Sequence, residues 1–380
     1  MDDARQLDRL VDELNALTSG SGRSGTRLAD WLHVLRSRGG SDLYLVAGVP
    51  PSIRVRGVVQ ALAEAPLDGE EIEDAVLPEL APHASAHYRS HGYADASLRL
   101  GEAGRFRINL HHERGRPAAS IRALPVSPPK LADLGLPSAI ESLSRLPHGL
   151  VLVAGPTGAG KSTTVAALVD LINRRDAKHI VTIEDPIEYE HPHQRSIVEQ
   201  VEIGVDAPDF PTALRSAVRQ SPDVIVVGEM RDPETMRIAL AAGETGHLVF
   251  STLHAMDVTS TISRVADAFP AERQPTIRQE LSMALAAVMT QVLLPGSDGN
   301  RVAAAELLLM SYGARQHIRK NALQHLHQEI TLTRRAGSFT FEDCLADLVR
   351  RGSIDADDAR TRAIHRDELE ALLAAPAPRT

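Results

Sequence analysis

Hydrophobic positions along the chain keep one rhythm up to about residue 125 and another from residue 149 onward. Leu28, Trp31, Leu32 and Leu35 recur at helical spacing, and the runs Asp42 to Ala47 and Ser52 to Val59 predict strands around a Val49-Pro50-Pro51 turn. Two helices are expected between Asp68 and Ser90. Alternating runs then return at Ala96 to Leu100, Arg105 to Leu110 and Ala118 to Leu124. Helices set against alternating strands imply an α+β unit with an antiparallel sheet.

Beyond Gly149 the apolar runs become continuous: Leu150 to Val153, Ile180 to Ile183, Val224 to Val227 and Leu248 to Ser251, with helix-like segments between them. Continuous apolar strands are expected where a parallel sheet is covered on both faces, so this part reads as a doubly wound α/β unit. Ile277 to Leu294 and Ala314 to Leu332 read as mostly helical, with a strand pair near Arg301 to Leu309. The expected division is an amphipathic extension and Ser/Gly-rich linker over 1–25, a first domain over 26–125, and a linker over 126–136 around Ser127-Pro128-Pro129. The second domain follows over 137–365, and a tail over 366–380.

At 380 residues the chain is too long for one core, and 43% hydrophobic residues suit a globular protein rather than a disordered one. A single cysteine, Cys344, allows no internal disulfide and no C-x-x-C zinc module, which suits a reducing cytoplasm. No apolar run approaches the roughly 20 residues a bilayer span needs, and Met1-Asp2-Asp3 does not open a signal peptide, so direct membrane insertion is not expected. A net charge of −9 and the lack of a basic, aromatic-rich arm argue against nucleic acid as a partner.

The chemistry concentrates after the first continuous strand. Gly155, Pro156, Thr157, Gly158, Ala159, Gly160, Lys161 and Ser162 spell G-x-x-x-x-G-K-S between a strand and a helix that begins near Thr163. Glycines let successive backbone amides and a helix N-terminus face an anion, the lysine reaches β- and γ-phosphates, and the serine hydroxyl serves Mg²⁺. Three further segments end at strand boundaries. Thr182 to Glu188 brings Glu184 and Glu188, which can hold Mg²⁺ through water or take a proton from an attacking water. Asp223 to Glu229 has the form of a Walker B strand, with Glu229 on the Mg²⁺ hydration shell. Thr245 to His254 sets His247 and His254 at either end of one strand, where a neutral imidazole could sense a γ-phosphate. Arg105, Arg107 and Arg122 on the first domain are candidate arginine fingers.

These segments, together with G-S-D-L-Y-L at 40–45, R-F-R-I-N at 105–109 and R-V-A-A-A-E at 301–306, closely resemble type IV pilus retraction ATPases of the PilT type, within the secretion ATPase superfamily. The resemblance runs over about residues 27–355. It implies a PAS-like N-terminal domain, a RecA-like P-loop ATPase domain, ATP and Mg as cofactors, and a homohexamer. It further implies a cytoplasmic motor held at the inner membrane by a pilus platform protein, with a paralogous pilus ATPase as a further partner. By motif, Lys161 and Ser162 carry over as Walker A, Glu184 and Glu188 as the acidic box with Glu184 activating water, and Glu229 as Walker B. His247 and His254 fall on the histidine box, and Arg105, Arg107 and Arg122 on basic positions that approach the phosphates. Tyr44 stands where the family has histidine, and Gly313 to Lys320 match its A-I-R-N-L-I-R-E segment only loosely. Assembly and secretion ATPases of the same superfamily, and an accessory paralogue, are the alternative readings.

Overall fold

The computed structural model describes residues 27–101 and 104–375. The expected extension and linker over 1–25 lies outside them. Contacts divide the chain after Val126 into two compact units.

In the first unit a helix over 27–37 (α1) is followed by strands β1 (Gly40–Val46), β2 (Ser52–Val55) and β3 (Val58–Ala61), helices α2 (Gly69–Val76) and α3 (Pro82–His91), and strands β4 (Tyr93–Leu100), β5 (Gly104–Glu113) and β6 (Arg116–Ala123). The six strands form one antiparallel sheet in the order β3-β2-β1-β6-β5-β4. Leu28, Trp31, Leu32 and Leu35 of α1 pack with Leu43, Leu45, Phe106, Ile108 and Ile121, the inward positions of alternating strands. The run read as one strand over 52–59 is a hairpin. Arg56 and Gly57 take φ of 49° and 82°, the left-handed pair that a two-residue turn requires.

The second unit places β7 (Gly149–Ala154), α4 (Lys161–Arg175), β8 (His179–Glu184), β9 (Ile197–Glu202), α5 (Phe210–Ala217), β10 (Val224–Val227), α6 (Pro233–Glu244), β11 (Leu248–Leu253), α7 (Val258–Asp267), α8 (Gln274–Ala284), β12 (Leu285–Pro295) and β13 (Arg301–Leu309) around one sheet. Its order is β13-β12-β7-β11-β10-β8-β9, parallel throughout except for β13 against β12. Every residue of β7, β10 and β11 is buried, because alternate side chains enter two cores. Leu150, Leu152, Ile225 and Val227 meet α5 to α8 on one face. Val151, Val153, Val226 and Phe250 meet α4 on the other. This is the doubly wound, RecA-like arrangement.

Two further expectations need correction, and one strand was not anticipated. Residues 285–294 are not helical: they form β12, wedged between β7 and β13, where a long apolar run buried on both faces carries no period that separates strand from helix. Strand β9 was not anticipated, because its acids Glu199 and Glu202 break the apolar run. After α9 (Tyr312–Arg319), α10 (Leu326–Leu332), α11 (Phe341–Arg350) and α12 (Ala356–Arg362), the presumed tail opens with a helix, α13 (Arg366–Ala374). Leu369 of α13 is fully buried in the same core as Leu345 of α11, which anchors it. No helix among the described residues is long and apolar enough to cross a membrane.

Candidate functional site

Parallel strands send their carboxyl ends to one edge of the sheet, and ligand sites form there. The register fixes which segments meet. Leu253 lies opposite Ala154, and Val227 lies opposite both Ile183 and Ser251. The glycine loop, Glu184, Glu229 and His254 therefore leave neighbouring strands β7, β8, β10 and β11 on the same side.

The loop has the backbone of a phosphate cradle. Gly155, Gly158 and Gly160 take φ of 154°, 76° and 87°, which side chains disfavour. A Cβ on Gly155 would stand 2.2 Å from the Gln291 carbonyl oxygen, and one on Gly160 would stand 2.9 Å from Gln291 Nε2. Helix α4 begins without a side-chain cap, whereas α5, α6, α7, α9 and α11 each begin under an Asp, Ser or Thr oxygen. The first amides of α4 are thus left to an outside acceptor, and the positive end of the helix dipole favours an anion. Lys161 Nζ donates to the carbonyl oxygens of Gly155 and Pro156, both at 3.0 Å. Burial lowers the Lys161 pKa, while the carboxylates of Glu229 and Glu188 favour its charge. Ser162 and Thr157 are exposed, and Thr163 Oγ1 lies 3.0 Å from the Tyr189 hydroxyl. These donors fit a phosphate chain, and the exposed Ser162 hydroxyl in the first turn of α4 is of the type that serves a hydrated Mg²⁺.

The acids differ in setting. Glu184 accepts hydrogen bonds from Thr182 Oγ1 at 2.7 Å, Gln200 Nε2 at 3.3 Å and the Glu188 amide at 3.4 Å. Burial nevertheless pushes its carboxyl up, toward the protonation range useful to a general base. Glu188 is exposed. Glu229 is paired with Arg231, and its Oε2 lies 3.8 Å from His254 Nε2. Burial and the Lys161 charge hold the His254 pKa below its ordinary value against the pull of Glu229, so the ring is neutral at pH 7.

His247 is not brought to this site. It precedes β11, at the edge where β7 begins with Gly149, and its Nδ1 lies 3.1 Å from the Ala242 carbonyl oxygen. A strand of six residues separates it from His254, about 20 Å at the rise of a β-strand. On the first unit, Arg107 and Arg122 face each other across β5 and β6, with Asp42 opposite Arg122 on β1. Arg122 Nε donates to Asp42 at 2.9 Å, Arg107 lies 3.7 Å from Asp95, and Arg105 shares the Arg107 face by strand alternation.

One site residue was not legible in the sequence. Gln291 of β12 is buried, accepts from Thr164 Oγ1 at 2.7 Å and donates through Nε2 to the Ala159 carbonyl at 2.8 Å. It clamps the glycine loop to the first turn of α4 from behind. Its signal was the one amide in an apolar strand, hidden because that stretch reads as a helix.

Residues 114–350 match the family model described as Type II/IV secretion system protein. The chain is 40% identical to the Type IV pilus retraction ATPase PilT of Pseudomonas aeruginosa over 326 residues, 86% of this chain and 95% of that one. It is 36% identical to the Type IV pilus ATPase PilU of the same organism, covering 90% of both. The crystal structure of the pilus retraction motor PilT with bound ADP superposes with a TM-score of 0.82 at 40% identity, covering 90% of this chain and 98% of that chain. With the glycine loop and its acids at one sheet edge and these likenesses spanning both units, the chain belongs to the type II/IV secretion system protein family and, within it, to the pilus retraction ATPases of the PilT type.

Proposed function

We propose that this protein is a cytoplasmic motor that hydrolyses ATP with Mg²⁺ and drives retraction of a type IV pilus. The reading is carried by the open N-terminus of α4 beneath the glycine loop, in a chain 40% identical to a pilus retraction ATPase over 95% of that protein. Lys161 binds the β- and γ-phosphates in exchange for the loop carbonyls, and the α4 amides hold the remaining phosphate oxygens. Ser162, and Glu229 through water, hold the metal ion, which when bound supplies charge neutralisation at the phosphoryl group. Glu184 orients the attacking water and takes its proton, with Glu188 beside it. His254 contacts Glu229 and reports the state of the phosphate end. Arg105, Arg107 and Arg122 supply the arginine finger within a homohexamer, and the ring works on a pilus platform protein at the inner membrane.

The 36% identity to PilU supports a second reading, an accessory ATPase acting with a principal motor. Purified wild type, Lys161→Ala and Glu184→Gln are assayed for phosphate release. Loss of turnover in both variants is expected, with nucleotide binding retained by Glu184→Gln. Near-normal hydrolysis by either contradicts its role. Deletion of the gene separates the readings: hyperpiliated, nonmotile cells mark the principal motor, and a defect only in retraction force marks the accessory one.

A further inference from the structure

Thr182 of β8 and Gln200 of β9 are register partners, and Glu184 stands two residues beyond Thr182 on the same face of its strand. Ile180 and Val198 belong to that face and pack in the core with α4. Past this apolar floor, the three polar side chains meet at the carboxyl edge of the sheet.

Three contacts fix the amide of Gln200. Its Oε1 accepts from the His191 amide at 2.8 Å, while Nε2 donates to the Tyr189 carbonyl oxygen at 2.9 Å and to Glu184 Oε1 at 3.3 Å. A flipped amide would set N–H against N–H and oxygen against two acceptors, so all three partners demand the same orientation. Thr182 Oγ1 donates to the same Glu184 Oε1 at 2.7 Å. Among the described residues, Glu184 Oε2 receives only the Glu188 amide, at 3.4 Å. The two ends of the carboxylate are therefore unlike: Oε1 is gripped by two side-chain donors, and Oε2 is open to an outside one.

We propose that Thr182 and Gln200 are positioning residues that anchor Glu184 by Oε1 and so present Oε2 to the attacking water. The proposal rests on Glu184 being the base of ATP hydrolysis, and adds which of its oxygens works and what aims it. A carboxylate held at one oxygen by two donors cannot turn freely about its terminal torsion. Such restraint matters where a misplacement of about 1 Å costs about 100-fold in rate. Gln200 also holds the segment after Glu184, through Tyr189 and His191. The Tyr189 hydroxyl in turn lies 3.0 Å from Thr163 Oγ1 in the first turn of α4, so the aim of the base is tied to the helix that follows the glycine loop.

The test measures kcat, KM and nucleotide affinity on the full-length protein, with circular dichroism to check each fold. Thr182→Val and Gln200→Leu should each lower kcat about 10- to 100-fold while KM and nucleotide affinity hold, since both act through the base. Thr182→Ser keeps the hydroxyl and should turn over like wild type. Gln200→Glu keeps the acceptor for His191 but cannot donate to Glu184, so it should not restore the rate. In the Glu184→Gln background neither change should slow the residual rate further, because a residue acting only through Glu184 has nothing left to aim. Gln200 is only partly buried, so its variants decide the matter if the change at buried Thr182 prevents folding. A wild-type kcat in Thr182→Val or Gln200→Leu, recovery in Gln200→Glu, or an additive loss in the Glu184→Gln background overturns the positioning role. Near-normal turnover by Glu184→Gln alone is a separate outcome, which removes the base itself.

Discussion

Glu306 lies on β13 with 7% of its surface exposed, and its Oε2 is 3.4 Å from the Val258 amide at the start of α7. It lines a cavity of about 1220 Å³ that Glu229, His254, Glu342 and His365 also border. Burial pushes its carboxyl up to about 7 from an ordinary 4.5, opposed by the Val258 bond and reinforced by Glu342, Asp257 and Glu368. Between those two values the native state holds a proton that the unfolded chain has released, so stability falls as pH rises through that window. Each pH unit corresponds to about 1.4 kcal/mol, which makes the loss about 3 kcal/mol once pH passes 7. Glu306→Gln keeps the shape and the acceptor but never ionises. The variant should match wild type at pH 5 and exceed it by about 3 kcal/mol at pH 8, about 6–12 °C in melting temperature for a unit of this size. Urea and thermal unfolding followed by far-ultraviolet circular dichroism at both pH values read this out. The same fall in stability between pH 5 and pH 8 in both proteins would refute the reasoning.

Gln291→Leu leaves the Ala159 carbonyl and the Thr164 hydroxyl without their partners, at about 1–3 kcal/mol for an unsatisfied buried group. The KM for ATP should rise about tenfold or more, with a smaller rise in Gln291→Glu, which keeps only the acceptor; an unchanged KM in Gln291→Leu contradicts the clamp. His254→Ala should weaken nucleotide affinity more than His247→Ala, since only His254 stands beside Glu229 at the loop edge. Equal effects in a fluorescent-nucleotide titration would place both rings in the same role.

How much was legible depended on whether a feature is local. The eight residues from Gly155 to Ser162 are contiguous, so their glycines, lysine and serine announce a phosphate cradle before any folding is considered. Runs such as Val224 to Val227 marked strands covered on both faces, and the acids Glu184 and Glu229 fell at the carboxyl ends of β8 and β10. Alternation likewise placed Arg105 and Arg107 on one face of the first sheet.

Other features exist only between distant segments. Gln291 meets Thr164 across 127 positions, and no spacing encodes that contact. The helical reading of 285–294 failed because strand order, not periodicity, put that run between β7 and β13. His247 and His254 look equivalent as two histidines around one strand, yet a parallel sheet has two unlike edges, and only His254 leaves at the carboxyl edge. Glu306 is unremarkable in sequence; burial beside Glu342 and Asp257 gives it a pKa near 7. The sequence by itself determined the phosphate loop, the class of each unit and the identity of the acids, because those depend on neighbours along the chain. Tertiary structure alone decided which histidine joins the site, what holds the loop from behind and which carboxyl titrates near neutrality, because packing and dielectric arise from neighbours in space.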